Sequence, residues 1–413
     1  MARAATTTPT ATTGSGAALA LATGVALVVA GVLPGFLTAS LAPRIRTDFA
    51  FGASSVGLAV AVFYVVCTAT STPCGRLVER IGARRGMRLG AASTAAGCLA
   101  IAAGAGSAAA LIVLLAFAGL GNAMAGPAVS AMLKRRLAGH RHGLAFGAQQ
   151  SGASLGALLA GLALPAVAIP FGWRWAFAAA AVVAIAAAAL APSGGDDERS
   201  AGAAAARLAH RGLGAVHALA LAAVLASAAG VGFVSFLVLY AVHRGIDEGA
   251  AGVLLGGVSL ATTLSRVGLG IAADRADTDP LRPVAAMLLA SLLGYALLIA
   301  GTPALVVAGA LLVGILGWSW PGALTLAVVQ RSPGAPAWAV GVMMAGLFGG
   351  AIVGPLFVGL LAERGSFDAA WIACAGLAAA AAGTVTATRR LERRPGAARR
   401  AHNHRQTTGG ERA

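Results

Sequence analysis

Long, uninterrupted runs of apolar residues are separated by short polar segments along most of the chain. A helix needs about 20 apolar residues to cross about 30 Å of hydrocarbon. Because the runs are continuous and do not alternate residue by residue, a transmembrane β-barrel is excluded. The pattern predicts twelve membrane-spanning helices, at about residues 17–42, 53–74, 87–105, 109–133, 143–168, 174–191, 214–241, 249–272, 284–301, 303–329, 337–361 and 367–388.

The composition agrees with an all-α membrane protein. Only 11% of the 413 residues are charged, whereas an ordinary soluble protein carries about 25%. A soluble fold this poor in charge could not cover its own surface, so the water-soluble globular class is excluded. The formal net charge of +16 would suggest a nucleic-acid partner in a soluble protein. Here the positive charges lie in short loops and in the last 25 residues, without interleaved aromatics, so no nucleic-acid partner is expected.

The positive charges also predict the orientation, because cytoplasmic loops carry an excess of lysine and arginine. If the amino terminus is cytoplasmic, 25 of the 30 lysines and arginines fall on the cytoplasmic side. We therefore expect a multi-pass protein of the plasma (inner) membrane with both termini in the cytoplasm. Its arginine clusters should contact anionic lipid headgroups. The outer loops receive Arg44, Arg46, Arg174, Arg244 and Arg364.

The two halves of the sequence resemble each other. Gly75-x-x-x-Glu79-Arg80 recurs 195 residues later as Gly270-x-x-x-Asp274-Arg275. Parallel six-helix repeats are an architecture of secondary transporters, with the substrate site near the membrane midplane between the halves. The predicted organisation is an amino-terminal tail (1–16), a six-helix bundle (17–191), a linker (192–213), a second six-helix bundle (214–388) and an arginine-rich tail (389–413).

The loop after the second predicted helix carries a family signature. Gly75-Arg-Leu-Val-Glu79-Arg80-Ile-Gly-Ala-Arg84-Arg85 resembles the cytoplasmic signature of the major facilitator superfamily, with glutamate in place of the usual aspartate. The resemblance extends over residues 17–388. It implies two pseudo-symmetric six-helix bundles that transport a small solute by alternating access. We expect no cofactor, and a monomer would suffice for transport. It also implies a conformational latch between the bundles, formed by Gly75, Glu79, Arg80, Arg84, Arg85, Asp274 and Arg275. Alternatively, the arginines only anchor the loops on the cytoplasmic side of the membrane.

Two shorter segments concern the substrate. Arg141-His-Gly-Leu-Ala-Phe-Gly147 and Phe171-Gly-Trp-Arg174-Trp-Ala-Phe177 resemble segments of the anion-handling branches, which include oxalate–formate exchangers, monocarboxylate carriers and cyanate-type permeases. Many proton-linked drug exporters carry an arginine four residues before a Gly-x-Gly in the fourth span, where this chain has Leu115. The resemblance favours a small organic anion as substrate. Efflux of amphipathic drugs is the alternative.

Arg266 is the one charge that lies away from the ends of a predicted span, about 12 Å from the cytoplasmic end at 1.5 Å per residue. A guanidinium can hold a carboxylate with two hydrogen bonds. The pattern Ser265-Arg266-x-x-x-Gly270-x-x-x-Asp274 resembles the eighth span of monocarboxylate carriers, in which the arginine engages the substrate anion. Arg266 therefore either binds substrate or packs in the seam between the halves.

Neutral polar side chains of the predicted spans are candidates to complete a substrate site. For each of them, packing between helices is the competing interpretation. Neighbours on a helix diverge by about 100°, so at most one of the two adjacent glutamines can face a cavity. The candidates are Tyr64, Asn122, Gln149, Gln150, Thr262, Thr263 and Trp318.

Glycines recur at helical spacing in the fifth and eleventh predicted spans, where they allow close helix packing. They are Gly152, Gly156, Gly346, Gly350 and Gly354. The four cysteines have no metal-type spacing, and no metal site is expected. The spans contain neither paired carboxylates nor a Ser–His–Asp set, so an intramembrane enzyme is not expected.

Overall fold

The computed structural model describes residues 14–41, 44–45, 48–49, 53–137, 141–191, 213–275, 278–363 and 367–409. Most of the predicted amino-terminal tail, the linker up to residue 212, and the loop residues Arg46 and Arg364 lie outside these ranges. Within them the chain is helical apart from short connections and contains no strand.

Twelve helices follow one another in the described part of the chain. Eleven are long and apolar enough to cross a membrane, and α6 is a shorter apolar helix of 17 residues. They are α1 (Gly14–Ser40), α2 (Ala53–Ile81), α3 (Ala83–Gly104), α4 (Ala108–Arg136), α5 (His142–Phe171), α6 (Trp173–Ala189), α7 (Leu213–His243), α8 (Glu248–Arg275), α9 (Leu281–Ala300), α10 (Pro303–Arg331), α11 (Pro336–Glu363) and α12 (Phe367–Gly409).

The all-α, twelve-helix class predicted from the sequence is confirmed, and the helices differ from the apolar runs mainly at their ends. The second helix extends to Ile81, past the apolar run that ends near residue 74. The last helix continues to Gly409 and takes in most of the segment predicted as a separate tail. Hydropathy records where hydrocarbon ends, whereas a helix can continue into water on its own backbone hydrogen bonds.

Two helices are interrupted. In α5 a wider turn runs over Leu164–Ala168. In α10 a wider turn over Val313–Gly317 is followed by non-helical residues 318–320, and the helix resumes at Pro321. Proline has no N–H to donate and disturbs the turn before it. The break in α10 therefore releases backbone carbonyls in the middle of the molecule.

Helices α7 and α11 pack closely in the second half. Three glycines of α11 face α7, and a Cβ atom at any of them would overlap a carbonyl oxygen of that helix. The first half repeats the arrangement less tightly, because Gly152 and Gly156 of α5 face valine side chains of α1. The facing pairs in the second half are Gly346 with Ala220, Gly350 with Val224 and Gly354 with Ala228.

Replacing Gly350 by alanine should lower the free energy of unfolding by about 1–3 kcal/mol, because the added methyl group collides with backbone that cannot rotate away. Gly376→Ala in α12 is the matched control, since nothing apart from its own helix backbone lies within 4 Å of its Cβ position. Thermal unfolding in detergent measures both variants. Equal stability of the two would contradict the close packing of α7 on α11.

Asp279 joins three elements at the end of the second half. It lies before α9 and accepts hydrogen bonds from Arg331 of α10 at 3.0 Å and from Arg389 of α12 at 2.9 Å. Burial alone would raise the pKa of Asp279, but the Leu281 N–H and the two guanidinium groups outweigh it and hold the pKa below its ordinary value.

The lowered pKa predicts acid lability of this junction. A carboxyl group with a depressed pKa stabilises the fold above its unfolded pKa of about 3.9, and the contribution is lost as the pH falls through the lower folded pKa. Asp279→Asn should therefore have a lower melting temperature than wild type at pH 7. Below about pH 4 its melting temperature should fall less than that of wild type. Melting curves of both proteins across this range provide the test; parallel pH profiles would refute it.

Candidate transport site and contacts between the halves

Two carboxylates join the halves at one end of the helix bundle, called here the basic side, where α2, α4, α8 and α10 end. Glu79, near the end of α2, accepts hydrogen bonds from the N–H groups of Ala337 at 2.6 Å and Trp338 at 3.3 Å. Both lie in the first turn of α11. A helix begins with unpaired N–H groups and a partial positive charge, which a carboxylate satisfies together.

Asp274 makes the equivalent contact with the halves exchanged. Its two carboxylate oxygens accept from Gly143 at 2.6 Å and Leu144 at 2.8 Å, in the first turn of α5. The acids are 195 residues apart and the N–H donors 194 residues apart, so the internal repeat relates the two contacts. We call the interface of α2 with α11 and of α5 with α8 the seam.

Glycines allow the helices of the seam to approach each other. A Cβ at Gly75 would lie 2.6 Å from the oxygen of Ala337, and one at Gly270 would overlap the oxygen of Gly143. Gly341 and Gly147 face the seam from the other side of each crossing. Close backbone approach is what brings each carboxylate within reach of the partner helix.

The arginines of the signature lie around the seam. Arg80, Arg85 and Arg275 are exposed and Arg84 is half-buried. The structure therefore places Gly75, Glu79 and Asp274 of the predicted latch in the seam and leaves most of its arginines at the surface.

Lys134 is a further link that sequence reasoning missed. Its ammonium group, at the end of α4, donates to the carbonyls of Val329 at 3.4 Å and Pro333 at 3.3 Å in the other half. A signal was present, since Lys134 is the only lysine in a chain with 30 basic residues.

Arg266 lies deeper in the seam and is almost fully buried, with 3% of its surface exposed. Its Nε and Nη2 donate to the Trp318 carbonyl at 3.2 and 2.8 Å, and its Nη1 donates to the Gln150 carbonyl at 2.8 Å. The guanidinium carbon also lies 5.5 Å from the centre of the Trp318 ring. No carboxylate among the described residues forms an ion pair with it.

The break in α10 explains why Arg266 is tolerated there. The first segment of α10 ends at Gly317 and Trp318 caps it, so the Trp318 carbonyl and the negative end of the helix dipole point toward the guanidinium. Both carbonyls offset part of the buried positive charge. These three hydrogen bonds use three of the five N–H groups of a guanidinium, which leaves donors for a ligand.

The adjacent glutamines of α5 diverge. Gln149 binds Ser130 Oγ at 3.0 Å and the Gly126 carbonyl at 3.2 Å within the first half. Gln150 donates to Thr325 Oγ1 at 3.0 Å, in α10 of the other half. Sequence reasoning missed Thr325, although the repeat pairs it with Ser130 at an offset of 195.

In the described part of the chain, the remaining candidates (Tyr64, Asn122, Thr262 and Thr263) make no hydrogen bond with the Arg266 guanidinium. The Tyr64 ring lies 6.0 Å from that of Phe348 across the seam, and the Thr262 carbonyl accepts from Ser319 beside the α10 break. Asn122 binds Cys67 within the first half, and the Thr263 hydroxyl donates to its own helix. The structure thus brings Gln150 and Trp318 to Arg266, but not Asn122, Gln149 or Thr263.

At the other end of the bundle, called the opposite side, the polar contacts stay within each half. Asp48 accepts from Arg174 at 2.5 Å and from the Trp173 indole at 3.0 Å. In the second half Arg244 pairs with Asp368. The hydrogen bonds between the halves, as far as the described residues show them, all lie toward the basic side. The molecule is therefore closed at its basic side.

Two helical halves that are related by a repeat and joined at one end of their seam define a transporter architecture. The chain matches the sequence profile of the Major Facilitator Superfamily over residues 19–337 and 219–409. The chain belongs to this superfamily and is a membrane transporter that works by alternating access, not an enzyme.

Comparison with solved structures agrees in the fold. FucP in the outward conformation matches with a TM-score of 0.70 at 18% identity, covering 89% of this chain and 98% of that chain. The E. coli fucose:proton symporter FucP matches at 0.71 and 16%, covering 89% and 98%. The proton:xylose symporter XylE matches at 0.69 and 14%, covering 88% and 94%. Among curated proteins, no match is found.

Replacing Glu79 by glutamine should loosen the first turn of α11, because a neutral amide interacts more weakly with the helix dipole. We expect backbone hydrogen exchange at Ala337 and Trp338 to become about fivefold faster, which corresponds to about 1 kcal/mol. Glu79→Asp, which keeps the charge, is the control and should exchange more slowly than Glu79→Gln. Unchanged exchange in Glu79→Gln would show that the charge does not hold the seam.

Proposed function

We propose that this transporter carries a small organic anion and that Arg266 supplies the positive charge that binds it. The observation that carries the proposal is the geometry of Arg266: a buried guanidinium that lies between the halves, has no carboxylate partner among the described residues and keeps two N–H groups for a ligand. A carboxylate that accepts these two hydrogen bonds would neutralise the charge in a site of low dielectric constant.

The distribution of acidic residues supports an anion over a cation. In the sequence all 14 acidic residues lie in loops, tails or helix ends. Glu79 and Asp274 are occupied by helix N-termini at the basic side. A cationic substrate would therefore meet Arg266 without a counter-charge at the same depth, which is costly inside a membrane.

The contacts of Arg266 suggest how binding is coupled to rocking. Arg266 and Trp318 belong to the same half and move together, whereas Gln150 belongs to the other half. When the basic side opens, Arg266 loses the Gln150 carbonyl and gains a free N–H group. An anion that takes this N–H lowers the free energy of opening, because a ligand favours the state that it binds more tightly.

The orientation follows from the positive charges. We place the basic side in the cytoplasm of the plasma membrane, with both termini there and with the arginine clusters in contact with anionic headgroups. The described conformation is then closed toward the cytoplasm. The bundles comprise residues 17–191 and 214–388, and one copy of the chain suffices for transport.

Ligand-dependent thermal stabilisation of the purified protein tests the substrate class. The panel contains small mono- and dicarboxylates, the neutral sugars fucose and xylose, and lipophilic cations. A carboxylate at 100 times its dissociation constant should stabilise wild type by about 2.7 kcal/mol, a shift of a few degrees in melting temperature. Arg266→Gln should lose this response relative to its own unliganded melting temperature.

Matched variants separate charge, geometry and stability in this test. Arg266→Lys keeps the charge but not the two-pronged geometry and should respond weakly. Lys134→Gln removes a contact between the halves that lies away from the site, and this variant should respond as wild type does. If sugars or lipophilic cations stabilise wild type and Arg266→Gln equally, and carboxylates stabilise neither, the anion proposal fails. Stabilisation by the cations would favour the efflux of amphipathic compounds.

A further inference from the structure

In each half, an ion pair at the opposite side links the segment after the first helix to the start of the last helix. In the first half Asp48, after α1, binds Arg174 at the start of α6. In the second half Arg244, after α7, binds Asp368 at the start of α12. We call these the first clamp and the second clamp. Each clamp packs on an aromatic ring, Trp173 at 4.5 Å from Arg174 and Tyr240 at 5.3 Å from Arg244.

The two clamps occupy matched positions of the repeat but have opposite signs. Arg174 and Asp368 are 194 residues apart, and Asp48 and Arg244 are 196 residues apart. These offsets agree with those of the seam contacts. The seam contacts have an acidic residue at the matched position of both halves. In the clamps the charge is reversed between the halves, because Asp48 is matched by Arg244 and Arg174 by Asp368.

The repeat places matched positions on either side of a pseudo-twofold axis. Helices α1 and α7 lie beside this axis, because they pack on α5 and α11, one seam helix from each half. The ion pairs at the opposite side, as far as the described residues show them, each lie within one half. Rocking that opens the basic side must bring the ends of α1 and α7 toward each other.

We propose that Asp48 and Arg244 form an ion pair between the halves when the opposite side closes, and that this pair stabilises the closed state. The approach lines up Arg174, Asp48, Arg244 and Asp368 with alternating charge. The four side chains are between 27% and 44% exposed, so part of the surface of each is accessible. Equal signs at the two central positions would make the same approach repulsive.

Further charges lie beside both clamps. Arg44 precedes Asp48, and Asp247 follows Arg244; both are exposed. These two side chains are also of opposite sign, so they offer a competing source of attraction between the same ends. The experiment must distinguish this source from the central pair.

Exchanging the charges within one clamp separates the interactions. The double substitution Asp48→Arg with Arg174→Asp keeps an ion pair inside the first half but turns the central pair into two positive charges. Arg244→Asp with Asp368→Arg does the same in the second half and gives two negative charges. The two exchanges combined restore opposite signs. All four proteins retain both clamps, and their melting temperatures in detergent check the folding.

Spin labels at Leu58→Cys and Val253→Cys report closure of the opposite side. These matched positions lie near the starts of α2 and α8 and are 56% and 76% exposed, whereas the four native cysteines are buried. Pulsed electron paramagnetic resonance of the protein in lipid vesicles gives the distances. All four proteins carry Glu79→Gln and Asp274→Asn, which weaken the seam and populate the state closed at the opposite side.

The population at short distance decides the outcome. We expect either single exchange to lower the ratio of short to long distances about two- to fivefold, within the range for exposed ion pairs, and the combined exchange to restore it. The inference is overturned if the ratio of short to long distances is the same in all four proteins, including the case in which no short distance is populated. If the first exchange instead raises the ratio, the attraction runs through Arg44 and Asp247, and the assignment to Asp48 and Arg244 is wrong.

Discussion

The structure depends on one interaction used twice: a carboxylate at the end of one helix satisfies the N–H groups that begin a helix of the other half. Glu79 does so at α11 and Asp274 at α5. The interaction needs no side-chain donor, because every helix start supplies unpaired N–H groups and a partial positive charge. It does need close backbone approach, which Gly75 and Gly270 permit. Such a contact is directional and reversible, as a rocking transporter requires.

The rest of the architecture follows from the need to keep each half rigid while the seam opens. Glycines of α11 lock it against α7, and the clamps tie the first and last helices of each half at the opposite side. Polar contacts within a half are thus separate from those between halves. Arg266 belongs to both groups, since it is bound to Trp318 in its own half and to Gln150 in the other.

The twelve helices and the repeat were predictable because both depend on side chains. Apolar runs of membrane length predict the helices, and recurring glycines and acidic residues predict the repeat. Arg266 stood out as a charge within a span. Its partners did not, because they are the backbone carbonyls of Gln150 and Trp318. Every residue has such a carbonyl, so the sequence does not show which ones accept a hydrogen bond. Pro321 was the one local sign that α10 breaks there, and hydropathy alone treats α10 as one continuous helix.

The distance between the two matched helix ends at the basic side tests the central claim most directly. Arg80 and Arg275 are exposed at the ends of α2 and α8, so spin labels at Arg80→Cys and Arg275→Cys span this side. If the two seam contacts hold the halves together jointly, Glu79→Gln or Asp274→Asn alone should leave the short distance dominant. Both together should produce a long-distance population larger than the sum of the single effects. A double variant that stays at the short distance, or a single variant that opens as far as the double, would contradict the account.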